Sequence, residues 1–245
     1  MTDTPILDGR LRCSQPADGY RFAVDSLLLA WFVLSRRGRG SRGHGLELCG
    51  GSGVISAMIL AGGGVGAAEL LELQEIYHDA ALRTAALNGL EERMRCRLGD
   101  LRDTVPGDLD HRPDVLYANP PFHPIGAGRT PPDATAAMAR HEVTATMDDI
   151  LDAAARLLPA RGHLYLTYPA PRLGELLAGL PARRFVPTRL VLAWGDPSGD
   201  AARLLLEARK EVETPLTVGP AISLDGPWYT ELCAMIDAVE ATSGS

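Results

Sequence analysis

Lysine is nearly absent from this chain of 245 residues: Lys210 is the only one among 24 basic side chains, and the rest are arginine. An arginine cluster therefore marks composition as readily as it marks a binding surface. Asparagine is as scarce, with Asn88 and Asn119 the only two. The four cysteines, Cys13, Cys49, Cys96 and Cys233, contain no CxxC pair, which argues against a zinc ribbon and a disulfide framework. The six histidines show no ligand spacing, so no metal is expected. Long apolar runs are missing too. The longest, Leu27 to Leu34, sits behind Asp25 and falls far short of the roughly 20 residues of a membrane helix. The N-terminus lacks the basic and apolar regions of a signal peptide. These absences together lead us to expect a soluble, cytoplasmic protein with no membrane partner. Basic excess is the last thing lacking: the formal net charge is -7, whereas a protein holding a polyanion normally shows a basic surface. Net charge leaves the partner open, because binding depends on where charges sit.

What the chain does contain is a regular alternation of short apolar runs with helical stretches. Strands are expected near Gly45 to Cys49, Ala67 to Leu71, Met94 to Leu98 and Val115 to Ala118, with helices after the first two. A helix from Phe22 to Leu34 precedes them, and another from Met147 to Leu158 starts near the capping residue Thr146. It leads through Gly162 into a strand from His163 to Tyr168. Thr188 to Trp194 and Ala202 to Ala208, separated by Gly195-Asp196-Pro197-Ser198-Gly199, read as a hairpin. Such continuous alternation, with no linker or repeat, predicts one α/β domain over 1–245, with 1–44 as an N-terminal helical extension. The Gly- and Pro-rich stretch from His123 to Pro132 reads as a mobile loop over the active site.

The most informative segment is Asn119-Pro120-Pro121-Phe122, directly after the apolar run Asp114 to Ala118. Proline fixes φ and restricts the residue before it, so the Asn119 and Pro120 carbonyls have few directions in which to point. A rigid pair of acceptors beside an aromatic face suits a planar ring carrying an amino group. Upstream, the strand Gly45 to Cys49 is broken by Gly50-Gly51-Ser52-Gly53 before the helical run Val54 to Leu60. Glycines there let the backbone approach a ligand closely, and the first helical amides face whatever binds. About 20 residues on, a second apolar run ends in Glu72, where nucleotide-binding α/β folds place a ribose-holding acid.

Glycine turn, spaced acid and Asn-Pro-Pro-Phe, in this order, resemble the class I S-adenosylmethionine-dependent methyltransferases, in the branch that methylates exocyclic or amide nitrogens. The chain is similar over nearly its whole length to the bacterial tRNA1(Val) (adenine-37-N6)-methyltransferase family. Asp18 to Ala30, Arg140-His141-Glu142 and Gly226 to Glu231 match as well as the catalytic motif. The resemblance implies a Rossmann-like, mostly parallel seven-stranded sheet with helices on both faces and an antiparallel edge strand. It implies S-adenosyl-L-methionine as cofactor, S-adenosyl-L-homocysteine as product and RNA, in particular tRNA, as partner. Asn119, Pro120, Pro121 and Phe122 would be catalytic. Asp25, Glu47, Cys49, Gly51, Gly53, Glu72, Leu73, Asp100, Leu101 and Asn119 would bind the cofactor, with Asp100 as the adenine-side acid. Cys49 departs from the family pattern, which often has glycine there; a small residue is expected to leave cofactor binding intact.

The implied chemistry is methyl transfer to an adenine N6. Asn119 Oδ1 and the Pro120 carbonyl would accept its two hydrogens, and Phe122 would stack on the base. Rival readings are methylation of a protein glutamine amide, which offers the same two N–H groups, methylation of a small molecule, and an RNA-binding module without turnover. Three arginine groups are either phosphate contacts or solvated faces: Arg36, Arg37, Arg39 and Arg42; Arg83, Arg93, Arg95 and Arg97; and Arg183, Arg184 and Arg189. Arg140, His141 and Glu142 either order the loop, meet the substrate or form a helix-cap ion pair.

Overall fold

The computed structural model describes residues 1–19, 21–120, 145–196 and 198–243. In chain order the elements are β1 (Thr2–Ile6), β2 (Leu11–Gln15), α1 (Val24–Arg37), β3 (His44–Leu48), α2 (Val54–Ala61), β4 (Ala67–Glu72), α3 (Glu75–Leu87), β5 (Met94–Leu98) and β6 (Val115–Ala118). They are followed by α4 (Met147–Leu157), β7 (His163–Pro169), α5 (Leu173–Gly179), β8 (Phe185–Trp194), β9 (Arg203–Lys210), the two-residue strands β10 (Thr217–Val218) and β11 (Ile222–Ser223), and α6 (Trp228–Ser243).

Seven of these strands form the body of one sheet in the order β8-β9-β7-β6-β3-β4-β5. β3 to β7 run parallel. Parallel strands are buried on both faces, which is why they are written as uninterrupted apolar runs; Val115, Leu116, Tyr117 and Ala118 of β6 are all fully buried. Helices cover both sides: α1, α2, α3 and α6 contribute to one apolar cluster, and α4 and α5 to the other. The chain leaves β3 toward β4 and β5, then returns to place β6 on the other side of β3. The carboxyl ends of β3 and β6 therefore flank a topological switch point, the crevice where open α/β sheets bind ligands.

The expected antiparallel component lies toward one edge of the sheet: β9 sits between β7 and β8 and is antiparallel to both, while the two-residue β10 and β11 pair with the far side of β8. Strands that short carry no readable periodicity. One expectation changes. The segment 1–44 is not simply a helical extension, because it opens with the antiparallel hairpin β1–β2. Leu7, Asp8 and Gly9 turn the hairpin with φ of 51°, 56° and 87°. The hairpin is held on α3, where Asn88 Oδ1 accepts from Arg12 N (2.9 Å) and Asn88 Nδ2 donates to the Arg12 carbonyl (2.7 Å). Ser14 N donates to Thr84 Oγ1 at 3.0 Å. The following helix, α1, runs two residues later than expected at its start and three beyond at its end.

α4 begins as its sequence suggests: Thr146 Oγ1 accepts from Asp149 N (3.1 Å) while Asp149 Oδ2 accepts from Thr146 N (2.8 Å), a reciprocal capping box. Its other end is closed by the chain's single lysine. Lys210 Nζ donates to the carbonyls of Ala155 (2.6 Å) and Leu158 (2.9 Å), two groups that the helix itself leaves without partners. No helix among the described residues is long and apolar enough to cross a membrane. The expected loop His123 to Pro132 and the triplet Arg140-His141-Glu142 lie outside the described residues.

Candidate active site

The turn after β3 is built from left-handed residues: φ is 56° at Cys49, 52° at Gly51 and 72° at Gly53. At Gly53, which caps α2, a Cβ would lie 2.3 Å from Met94 Cε and 3.0 Å from Leu70 Cδ2. At Gly51 a Cβ would meet nothing within 4 Å, so glycine is required there by its φ and the space above it is open. Glu72, at the end of β4, fastens this turn. Its Oε2 accepts from Gly51 N (2.8 Å) and its Oε1 from Gln74 N (2.9 Å). The acid expected to hold a ribose is thus already bound at both oxygens to backbone amides, beside the exposed Leu73.

Beneath the turn lies Glu47, 1% exposed. Its Oε2 accepts from Ser56 N (3.0 Å) and Ser56 Oγ (2.6 Å), and Ser56 Oγ lies 2.8 Å from the Tyr117 hydroxyl. Burial pushes the Glu47 carboxyl up to about 8, against the opposing pull of the Ser56 bonds. Ser56 and Tyr117 were not singled out from sequence. The signal available was a serine inside the apolar run Val54 to Leu60 and a tyrosine inside β6.

Asn119 follows β6 directly, across the switch point. Its Nδ2 donates to Ser26 Oγ in the first turn of α1 at 3.1 Å, which leaves Oδ1 as the free acceptor. A cavity joins these parts, walled by Asn119, Glu47, Cys49, Gly50, Gly51 and Ser52 from the sheet side and by Gln15, Phe22, Ser26 and Tyr77 from the hairpin, α1 and α3. Glu47, Cys49, Gly51 and Asn119 are therefore brought together. Gln15, Phe22, Ser26 and Tyr77 are the members missed in the sequence, because nothing local marks a residue that a distant segment folds over a crevice.

The remaining predicted residues stand apart from this cavity. Asp25 faces the sheet, with Oδ2 accepting from Arg203 Nε at 2.9 Å and Oδ1 buried without a partner. Asp100 turns to its own loop, accepting from Arg102 N and Nε at 2.9 Å each, and the Arg102 guanidinium holds its carboxyl below the usual range. Leu101 is buried in the apolar cluster under α4. Gly53 and Glu72 support the turn from behind. Pro120 is buried next to Asn119, while Pro121 and Phe122 lie outside the described residues.

The arginine groups are placed by the strand directions. Arg36, Arg37, Arg39 and Arg42 precede the amino end of β3, so they sit at the opposite end of the sheet from Asn119. Five strand residues separate the two ends by about 16 Å. Arg36 Nε pairs with Glu207 (2.9 Å), and Arg37 donates to the Gly64 carbonyl (3.0 Å) and Ser41 Oγ (3.0 Å). Arg83 pairs with Asp3, Arg97 with Glu69 and Arg95 with Asp110. Arg93 donates to the Gly66 carbonyl at 2.9 Å. Arg183 pairs with Asp148 and Asp152, and Arg184 with Glu211. These interactions account for most of the three groups as scaffold. Among the described residues, Arg102, Arg172 and Arg203 stand toward the Asn119 end of the sheet.

The cavity wall offers a free carboxyl oxygen and a free amide oxygen, both hydrogen-bond acceptors, with no lysine or arginine among its described residues. Such a wall fits a ligand that is rich in donors or cationic. Among the described residues no group of His, Cys, Asp and Glu could hold a metal ion.

No family model matches the chain. It is similar to two curated proteins named tRNA1(Val) (adenine(37)-N6)-methyltransferase, from two strains of Porphyromonas gingivalis. One is 28% identical over 223 residues, 86% of each chain, and the other is 27% identical over 234 residues, 91% of each. Among solved structures, a protein from Agrobacterium tumefaciens described as a predicted O-methyltransferase matches with a TM-score of 0.64 at 20% identity, covering 86% of this chain and 96% of that one. The geranyl diphosphate C-methyltransferase of Streptomyces coelicolor, solved with S-adenosyl-L-homocysteine bound, matches with a TM-score of 0.51 at 14% identity, over 75% and 78%. The two structural likenesses establish the fold.

Proposed function

We propose that the chain, which has the fold of S-adenosylmethionine-dependent methyltransferases and is similar along most of its length to two proteins named tRNA1(Val) (adenine(37)-N6)-methyltransferase, methylates the N6 amine of an adenine in RNA, in the anticodon region of a tRNA. The observation that carries this reading is the placement of Asn119: at the switch point, in the same cavity as the glycine turn, with its amide nitrogen held by Ser26 and its oxygen free. The donor set also fits the cofactor. Glu47 keeps one oxygen for an ammonium group, the open space over Gly51 admits a ligand against the backbone, and no lysine or arginine stands among the described residues of the wall.

Bound S-adenosylmethionine supplies a methyl on a sulfonium, an already activated leaving group, so alignment of the nucleophile is the main task left to the protein. Adenine N6 is a weak nucleophile because its lone pair is delocalised into the ring. Asn119 Oδ1 and the Pro120 carbonyl accept its two hydrogens and draw the nitrogen toward a tetrahedral shape, with the lone pair facing the methyl. Both acceptors stabilise the positive charge that develops on nitrogen, and their contribution grows toward the transition state. Phe122, two residues past Pro120, supplies the face on which the unstacked base rests, worth about 1 to 3 kcal/mol.

The test is incubation with methyl-labelled S-adenosylmethionine and total RNA from cells lacking the protein, followed by nucleoside mass spectrometry. N6-methyladenosine label in the tRNA fraction is expected. Asn119→Ala should lower turnover by about 100-fold or more while cofactor affinity stays within a few-fold. Label on protein glutamine or on a small molecule, with none on RNA, would refute the proposal.

A further inference from the structure

The first turn of α1 is tied to the sheet at two points that straddle β7. On one side Asp25 Oδ2 accepts from Arg203 Nε of β9 at 2.9 Å, and on the other Ser26 Oγ accepts from Asn119 Nδ2, just past β6, at 3.1 Å. β7 lies between these strands. Ala118 pairs with Leu166, so the register carries Thr167 of β7 beside Asn119, and Thr167 pairs with Leu205 of β9 on its other side. Tyr165, two residues earlier, packs against Phe32 of α1, so Thr167 faces α1 as well. Two buried oxygens of this region, Asp25 Oδ1 and Thr167 Oγ1, have no hydrogen-bond partner among the described residues.

A buried ion pair is often no more stabilising than an apolar contact of the same size. Stability alone therefore does not explain an aspartate that is 5% exposed with one oxygen unused. Its neighbour suggests a use. A hydroxyl both donates and accepts, so Ser26 by itself fits either end of the Asn119 amide: it can accept from Nδ2 or donate to Oδ1. Only the first arrangement turns the amide oxygen to the cavity, where the N–H of a methyl acceptor is to be received. The carboxylate one residue before Ser26 decides between them. Its negative charge draws the Ser26 hydroxyl proton, leaving the oxygen lone pairs for Asn119 Nδ2, and repels the amide oxygen from this side.

We propose that Asp25 is a positioning residue for Asn119: anchored by Arg203, its charge sets Ser26 as the acceptor and so presents the Asn119 oxygen to the nitrogen that is methylated. The proposal rests on the reading of Asn119 as the group that orients that nitrogen, and it holds for any acceptor carrying an N–H. It gives Asp25 no contact with the cofactor.

The scarcity of asparagine makes this testable by NMR. Asn88 and Asn119 are the only two, so the full chain labelled in asparagine nitrogen shows two side-chain NH2 groups, which Asn119→Ala assigns. Asp25→Ala and Ser26→Ala should each speed hydrogen exchange of the Asn119 NH2 several-fold, with Asn88, bonded to the Arg12 and Thr84 carbonyls, as the unchanged control. In turnover with S-adenosylmethionine and whichever acceptor the wild type labels, Asp25→Ala should lower kcat by about 10-fold and leave cofactor affinity within about twofold. It should cost nothing further in the Ser26→Ala background, because it acts through Ser26. Ser26→Thr, which keeps the hydroxyl, should hold kcat within about threefold of the wild type. Unchanged exchange at Asn119, equal loss of kcat from Asp25→Ala in both backgrounds, or weakened cofactor binding in place of slowed turnover would overturn the proposal. If Asp25→Ala melts early because Arg203 is stranded, Asp25→Ala combined with Arg203→Leu removes both charges and is read the same way. The exchange measurement needs no acceptor, so it stands apart from the RNA reading; undiminished turnover in Asn119→Ala would refute the role of Asn119 itself.

Discussion

The cavity's buried acid is where residue chemistry and stability meet. Glu47 has a carboxyl raised to about 8 from an ordinary 4.5, first by burial. The folded chain therefore holds a proton that the unfolded chain releases above 4.5. The Glu47 contribution to stability accordingly falls as pH rises from about 4.5 to about 8 and is level above that. Glu47→Gln removes this titration while keeping the shape. In urea unfolding across pH 5 to 9, the wild type should lose stability relative to the variant by up to about 1.4 kcal/mol per pH unit below 8. Parallel curves for the two proteins would show that Glu47 is ionised in the free fold. Residues of this kind were readable in advance, because their chemistry is fixed by backbone type and by spacing along adjacent strands: Glu47, Gly51 and Asn119 each sit at or just past the end of a strand. Gln15 and Ser26 were not, since a hairpin and a helix from elsewhere carry them to the crevice.

At the scale of elements, the parallel strands were legible as apolar runs and α4 by its cap. The N-terminal hairpin was not. Thr2 to Ile6 contains Pro5, and Leu11 to Gln15 mixes Arg12, Ser14 and Gln15 into its pattern, so neither strand shows clean alternation. Their burial comes from α3, through a side chain whose place no sequence pattern marks. Asn88 Nδ2 donates to the Arg12 and Thr84 carbonyls and Oδ1 accepts from Arg12 N. The chain's two asparagines thus divide between scaffold and the proposed reaction. Asn88→Ala should cost about 1 to 3 kcal/mol of unfolding free energy and speed amide exchange in 2–15 relative to the sheet. If the hairpin then pulls away from the cavity that Gln15 lines, cofactor affinity falls with it. Unchanged exchange in the hairpin would mean that Asp3 with Arg83, and Ser14 with Thr84, suffice to hold it.

For the whole molecule, a net charge of -7 and the proposed RNA substrate are reconciled by how the cations are arranged. Arg39 and Arg42 stand at the amino end of β3, remote from the catalytic crevice. Arg102 and Arg172 stand past the carboxyl ends of β5 and β7, toward the same end of the sheet as Asn119. Their partners are Asp100 and Glu175, and the Arg172 guanidinium lies 4.7 Å from the centre of the Tyr168 ring. Ion pairs on an exposed rim are weak, about 0 to 1 kcal/mol, so either arginine can exchange its carboxylate for a phosphate at little cost. Replacing both Arg102 and Arg172 by alanine should raise KM for RNA several-fold at low salt. The slope of log kcat/KM against log salt should become shallower by about one for each phosphate no longer neutralised. Replacing both Arg39 and Arg42 by alanine should leave KM within about twofold and the slope unchanged, which steady-state kinetics between about 50 and 200 mM salt can resolve. The reverse outcome would mean that the RNA wraps to the far end of the sheet, with the net negative charge overcome by a longer footprint than the crevice alone provides.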